Sequence, residues 1–355
     1  MRQFVVQHLY PDTLRLLLLL HQHVKIDCVI GIGYSGKESV VEQLKNAGIN
    51  VLTPDYEDLE DSVRTELGNS LARCRDNNNR LILHEVGGYA IKCLHEDYSD
   101  YLDVVPGAIE VTKQGVWMAQ SLDSLKIPQL NCAETRLKEI EGQMVGESVV
   151  ASLDTIVRDL GLAISGREVL LLGYGWVGKG AALSLDKRGA RLTVKDTDNI
   201  KAVNAVVDGY AIIRNNVDYS DIGCTPKIVV GMSGRRSITR DLIDHLPDKC
   251  FLVSGSSKNH EIDLDYLQSI TLNSIEIHQH VQACQLTDGR CVYLVNKGYP
   301  VNFTGSSVPD EIVEFLFSEL IMLVQELLDG SYNAGTYPLA PELEDIAAQI
   351  WLDLR

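Results

Sequence analysis

From Gln3 to Asn131 short apolar runs alternate with longer stretches whose apolar residues recur at helical spacing. The runs "QFVVQHL", "IDCVIGI", "INVLTP", "RLILHEV", "GAIEVT" and "IPQLN" predict strands. "PDTLRLLLLLHQH" and "SGKESVVEQLKNAG", the latter closing on Gly48, predict helices. Strand and helix alternating at this pitch predict a parallel sheet with helices on its faces. A long helical stretch, "GESVVASLDTIVRDLGLAI", leads into a second set of strands: "EVLLLGY", "RLTVKD", "YAIIR", "KIVVGM", "CFLVSGS", "SIEIHQHV" and "CVYLVN". From Pro309 to about Gly330 the pattern predicts one amphipathic helix with Ile312, Phe315, Leu316, Leu320 and Leu323 on one side. "PELEDIAAQIWLDL" predicts a last helix.

Composition narrows the function more than the fold. The 355 residues are 45% hydrophobic, enough for two domains with ordinary cores. Thirty-two Lys and Arg stand against 49 Asp and Glu, a formal charge of -17. No basic stripe breaks that surface, so nucleic acid and anionic membrane are disfavoured and a small-molecule substrate is expected. The eight cysteines are scattered with no C-x-x-C pair, the pattern of reduced thiols in a cytoplasmic protein. "LRLLLLL" at 14–20 falls well short of a membrane span, and no signal-like segment opens the chain.

Two glycine loops compete for a phosphate. Gly31, Gly33 and Gly36, and again Gly173, Gly175 and Gly178, spell G-x-G-x-x-G. Both loops also read G-x-x-x-x-G-K, but a P-loop needs Ser or Thr after the lysine to ligate magnesium. Glu38 and Gly180 stand there instead. As dinucleotide fingerprints both do better, and an acid should then end the next strand to hold the adenosine ribose. The second loop supplies Asp196 at the end of "GARLTVKD", whereas the first offers only Asp55, beyond Pro54. The expectation is therefore an NAD site made by Gly173, Gly175, Trp176, Val177, Gly178, Asp196 and Ser233, with the first loop an ordinary turn.

The stretch "SGREVLLLGYGWVGKGAALSLDKRGARLTVKDTDNIKAVNAVVDGYAI" resembles the cofactor domain of S-adenosyl-L-homocysteine hydrolase. The likeness is close over about 150–215 and fainter outward, through "HEVGGYA", "IEVTKQGVWMAQ", "GYPVNF" and "TYPLAPELEDIAAQI". It implies a divergent member with two α/β domains. Residues 148–308 would form a Rossmann-type NAD-binding domain. Residues 1–147 and 309–355 would form a flavodoxin-like substrate domain completed by C-terminal helices. It also implies a homodimer or other homo-oligomer. The implied cycle takes hydride from a ribose 3′-carbon onto NAD, eliminates the 5′-thiol, adds water and returns the hydride.

Residue by residue the resemblance is uneven. His8, Lys138 and Asn302 match the family's early histidine, catalytic lysine and asparagine, and Glu141 stands one position before an expected aspartate. Val86 and Val111 occupy the positions of two essential carboxylates. "SGSSKNH" has Ser256 and Ser257 near the place of the cofactor-side histidine, with a displaced His260, and "TGSSVPD" lacks the last histidine. The family's C-terminal arm, whose lysine and tyrosine reach a neighbouring subunit's cofactor, has no match in the sequence. Each lost acid–base group is worth on the order of 10²–10⁴ in rate, so the expectation is an intact cofactor half with altered chemistry. Oxidation of a secondary alcohol on a nucleoside or other small polar metabolite is the first reading. A catalytically silent NAD-binding homologue and a true hydrolase are the alternatives. No metal is expected: His278 and His280, and His21 and His23, lack companions to complete a site. Arg235 and Arg236 are candidates for an anion or for simple solvent exposure.

Overall fold

The computed structural model describes residues 1–221, 223–305 and 307–355. The chain forms two compact units, Met1–Glu139 with Asp310–Arg355, and Ile140–Pro309. The first opens with β1 (Arg2–Gln7), α1 (Pro11–His23), β2 (Lys25–Gly31), α2 (Glu38–Asn46), β3 (Val51–Leu52) and α3 (Leu59–Asp76). It continues through β4 (Leu81–Glu85), α4 (Tyr89–Glu96), β5 (Ala108–Glu110), α5 (Lys113–Ser121) and β6 (Pro128–Asn131). The helix α6 (Arg136–Asp159) then carries the chain from one unit into the other.

The second unit follows as β7 (Glu168–Leu172), α7 (Trp176–Lys187), β8 (Arg191–Lys195), α8 (Asn199–Val207), β9 (Ala211–Ile212) and β10 (Ile228–Gly231). Next come α9 (Arg240–His245), β11 (Cys250–Ser254), α10 (Leu264–Ile270), β12 (Thr271–His278), β13 (Val281–Leu286) and β14 (Cys291–Val295). The chain returns to the first unit with α11 (Asp310–Asp329), β15 (Gly335–Pro338) and α12 (Pro341–Asp353).

In the first unit every pairing is parallel, in the order β15-β6-β5-β4-β1-β2-β3. Without the two-residue β3 and the late β15, the five remaining strands follow the flavodoxin-like order. Each buried strand feeds both faces. Phe4, Val6, Leu81 and Leu83 pack with α3 and α4, while Val5, Ile82 and Ile109 turn toward α1, α2 and α11. Period-2 alternation with both sides apolar is what a sheet covered by helices on both faces requires.

The second unit runs β12-β13-β14-β11-β10-β7-β8-β9. Its six parallel strands, β9-β8-β7-β10-β11-β14, have the doubly wound order that reverses between β7 and β10. Val169 and Leu171 face α6 and α7, and Leu170 and Leu172 face α9. An antiparallel pair, β13 and β12, extends the sheet beyond β14.

Three elements differ from the sequence expectation. "SIEIHQHV" is not one strand but the end of β12, a turn and the start of β13, because Gln279 and His280 reverse the chain. β15 was hidden in "GTYP", where a proline is tolerated at the sheet edge. The helix expected from Gly146 begins at Arg136 and runs through Gly142 and Gly146. Those glycines serve a close crossing. A Cβ on Gly146 would lie 2.1 Å from the Val177 carbonyl oxygen, and one on Gly180 would lie 2.0 Å from that of Gln143.

Candidate functional site

The turn from β7 into α7 gives its three glycines three different tasks. Gly173 has φ +104, and a Cβ there would stand 2.7 Å from the Met232 carbonyl oxygen. Gly178 lies against the loop it closes, a Cβ falling 2.1 Å from the Gly173 carbonyl oxygen. Gly175 has nothing within 4 Å of the same construction. The first glycine makes the turn, the third lets helix meet strand, and the second keeps space open where a pyrophosphate approaches. The first helical hydrogen bond runs from the Lys179 N–H to the Gly175 carbonyl at 2.8 Å. The N–H groups of Trp176, Val177 and Gly178 therefore precede the helical ladder, at the positive end of a 12-residue helix.

The other expected loop is built differently. Gly31 ends β2, Gly33 opens a short 3-10 turn, and α2 starts only at Glu38. A Cβ on Gly33 would sit 2.4 Å from the Pro54 carbonyl oxygen, so backbone already fills the place a phosphate would need.

Asp196 directly follows β8 and is buried. Its Oδ2 accepts from the Tyr174 N–H at 2.6 Å and its Oδ1 from the Asp198 N–H at 2.8 Å. A carboxylate held this way keeps further lone pairs for a ribose diol. Lys195 points its ammonium over the Tyr219 ring at 4.0 Å, and burial lowers its pKa. It is thus engaged away from any 2′-phosphate at Asp196. A groove of about 450 Å³ opens beside Asp196, lined by Asn199, Val203, Ile213, Arg214 and Asn215.

Ser233 and Asn302 lie on the same carboxyl edge of this sheet. Ser233 follows β10, and its Oγ is 2.9 Å from Glu261 Oε2. Glu261, unnoticed in the sequence, is fully buried and also gathers the Ser237 and Ser256 hydroxyls and, at 2.6 Å, the Gly234 N–H. Burial raises its pKa while those donors hold it down. Of the three serines bonded to it, only Ser256 lies near Glu261 in sequence. Asn302 is placed by the bridge between Ser254 and Pro300. Its Nδ2 donates to Ser307 Oγ at 3.2 Å, and its buried Oδ1 has no hydrogen-bond partner among the described residues. Glu141 is buried on α6, one residue before Gly142, whose added Cβ would meet the Trp176 Cβ at 3.0 Å. Arg236 pairs with Asp263 at 3.4 Å.

In the first unit the strand order reverses between β1 and β4, and the crevice at their carboxyl ends is where an open α/β sheet binds ligands. His8 follows β1, and its Nδ1 is 2.5 Å from Ser35 Oγ. The Ser35 hydroxyl donates to the Ile32 carbonyl at 3.0 Å, so Nδ1 must carry the proton and Nε2 the lone pair. Burial, with the charge of Lys138 second, pulls His8 down to about 4 and keeps it neutral at pH 7. Lys138 lies half-buried in the first turn of α6, where its N–H donates to the Thr135 hydroxyl at 3.1 Å. Tyr34 packs on His8 and Tyr56 with centroids 5.8 and 5.3 Å apart, and the Tyr56 and Tyr89 hydroxyls are 3.4 Å apart.

Val86 and Val111 follow β4 and β5, each preceded by a fully buried carboxylate facing its neighbour in register. Glu85 accepts from the Ala90 and Ile91 N–H groups at 2.6 and 3.0 Å. Glu110 accepts from the N–H groups of Gly87, Gly88, Val111 and Thr112 and from the Thr112 hydroxyl. Burial pushes Glu110 up to about 7 against those donors. Both acids accept from backbone N–H groups of the loops that follow them, and Glu110 also from the Thr112 hydroxyl.

Among the described residues, neither histidine pair belongs to a cluster of three possible metal ligands. His278 ends β12 and His280 lies in the turn beyond it. The His280 N–H donates to His278 Nδ1 at 3.1 Å, and His278 Nε2 is 3.4 Å from Asp159. His21 accepts from the Ile26 N–H at 3.1 Å after the end of α1.

Fold and loop together define a dinucleotide-binding α/β protein. Residues 145–308 match the family described as S-adenosyl-L-homocysteine hydrolase, NAD binding domain. An adenosylhomocysteinase of Thermotoga maritima is 27% identical over 328 residues, covering 90% of this chain and 78% of the relative. An S-inosyl-L-homocysteine hydrolase of Methanothermobacter thermautotrophicus is 25% identical over 279 residues, covering 77% of this chain and 66% of the relative. A putative D-3-phosphoglycerate dehydrogenase oxidoreductase of Ralstonia solanacearum shares the fold, with a TM-score of 0.54 at 13% identity over 97% of each chain. These similarities support membership of the S-adenosyl-L-homocysteine hydrolase superfamily, and the cofactor is NAD. Among the described residues no helix is long and apolar enough to cross a membrane.

Proposed function

We propose that this protein is an NAD-dependent enzyme that oxidises a secondary alcohol on a nucleoside or other small polar metabolite and does not complete a hydrolase cycle. The observation carrying this reading is the pair Val86 and Val111, with Glu85 and Glu110 bound into the backbone behind them. No carboxylate at those positions is left to protonate a leaving thiol. On this reading residues 148–308 hold NAD through Gly173, Gly175, Trp176, Val177, Gly178, Asp196 and Ser233, Asn302 is a catalytic candidate, and the rest of the chain holds the substrate. NAD, when bound, supplies the hydride acceptor. Lys138 takes the proton of the reacting hydroxyl, and His8, held neutral at pH 7 by burial, is the second proton-transfer candidate. Glu141, on α6, is a further catalytic candidate. The protein works in the cytoplasm as a homodimer or other homo-oligomer.

The hydrolase names of the relatives support a second reading, turnover of S-adenosyl- or S-inosyl-homocysteine. One experiment separates them. Purified protein is offered both thioethers and a panel of nucleosides and sugar alcohols while reduced-nicotinamide absorbance and homocysteine are followed. The proposal expects absorbance to rise with one alcohol, no homocysteine from either thioether, and loss of the rise in Lys138→Met. Robust homocysteine release would establish the second reading instead. No reduction with any alcohol would leave a silent NAD-binding homologue.

A further inference from the structure

The loops after β10 and β11 meet on one acid. The Glu261 carbonyl accepts from the Ser237 and Ile238 N–H groups at 3.0 and 2.8 Å, which fixes the residue between the loops. Its side chain lies against the end of β10, where Gly231 leaves it room. A Cβ on Gly231 would stand 2.7 Å from Glu261 Oε2. Gly234, at φ +71, turns its N–H onto Oε1, and the Ser256 hydroxyl donates to the same oxygen at 2.6 Å. The Ser237 hydroxyl donates to Oε2. An N–H can only donate, and a carboxyl group ringed by donors is held as the ion. Among the described residues it makes no ion pair, and Arg236 of the same loop is engaged with Asp263. The site thus keeps a negative charge with no exposed surface and no countercharge, which is costly to bury.

Its place in the sheet says what offsets that cost. With the pyrophosphate at Gly173–Gly178 and the adenosine ribose at Asp196, as proposed above, one nucleotide lies on the β7 and β8 side of the reversal in strand order. A dinucleotide laid across that crevice puts its other nucleotide toward β10 and β11, the strands whose loops Glu261 joins. We propose that Glu261 biases the site toward the oxidised cofactor, its fixed carboxylate serving as countercharge to a nicotinamide ring that is cationic in NAD+ and neutral in NADH. It acts through charge and not through contact, so it is a positioning residue. The inference rests on NAD binding by the second unit and is independent of which alcohol reacts.

The test reads affinity and not turnover. The full chain, freed of nucleotide, is titrated calorimetrically with NAD+ and with NADH as wild type, Glu261→Gln and Ser237→Ala. Glu261→Gln should weaken NAD+ and spare NADH, lowering the ratio of the two affinities roughly 10-fold. Ser237→Ala removes one donor to the carboxylate at little change in volume, and should lower the ratio by a smaller factor. It carries the test alone if circular dichroism shows Glu261→Gln to be unfolded. Equal weakening of both cofactors in Glu261→Gln would make the acid merely structural and overturn the proposal. Unchanged affinities there would overturn it too, as would an unchanged ratio in Ser237→Ala when that variant stands alone. A wild type that binds neither cofactor would overturn the NAD site itself.

Discussion

Gly175 and Gly33 hold the same place in two nearly identical motifs, yet an added side chain meets open space at one and the Pro54 carbonyl at the other. Gly175→Val should therefore leave the fold intact and raise the Kd for NAD by ~100-fold or more, about 2.8 kcal/mol. Gly33→Val should leave the Kd unchanged and lower stability by about 1–3 kcal/mol, as overpacking does. Calorimetric titration with NAD and thermal unfolding of both variants check the pair. His84 offers a second residue-scale prediction. It is fully buried on β4, its two ring nitrogens have no partner among the described residues, and burial pulls it down to about 4. The native state thus favours the neutral ring, while the unfolded chain takes up a proton near its ordinary 6.5. Stability is untouched above that value and falls as pH drops from 6.5 toward 4. Relative to His84→Leu, the wild type should lose about 2.5 kcal/mol between pH 7.5 and 4.5 in urea unfolding. A gap that stays constant with pH would show the ring to be accessible.

At the scale of elements, the contact between α6 and α7 depends on two helices whose backbones nearly touch at Gly146 and Gly180. Glycine is a poor helix former, so its use inside both helices reflects that proximity rather than local preference. Gly180→Ala gains helix propensity but puts a methyl 2.0 Å from the Gln143 carbonyl oxygen. It should destabilise the protein by about 1–3 kcal/mol instead of stabilising it. It should also weaken NAD binding by tilting the start of α7. Thermal melts in the presence and absence of NAD test both effects. A variant as stable as the wild type would mean that the helices can part at little cost.

At the scale of the molecule, the division at Glu139–Ile140 and Pro309–Asp310 predicts where a ligand is felt. NAD at ~100 times its Kd adds about 2.7 kcal/mol to whatever binds it. Hydrogen exchange should show that gain in β7, α7, β8 and β10 and leave β1 to β5 little changed. Equal slowing across β1 to β5 would mean that the two units open together.

Much of this was legible in the chain. Apolar periodicity marked every parallel strand except β15, and the helices α1, α2, α6, α11 and α12, because burial on two faces leaves a repeating pattern. The second glycine loop could be chosen over the first because Asp196 ends the following strand, a relation that spacing preserves. What the chain could not show depended on neighbours far away in sequence. Only the folded loops show the oxygens of Glu85 and Glu110 bound to backbone N–H groups. The tasks of Gly142 and Gly146 show only where α7 lies against them. The reversal after β12 was missed because Gln279 and His280 lack the usual turn residues. Periodicity reports which face of an element is buried. Only the fold decides what each buried polar group is bonded to.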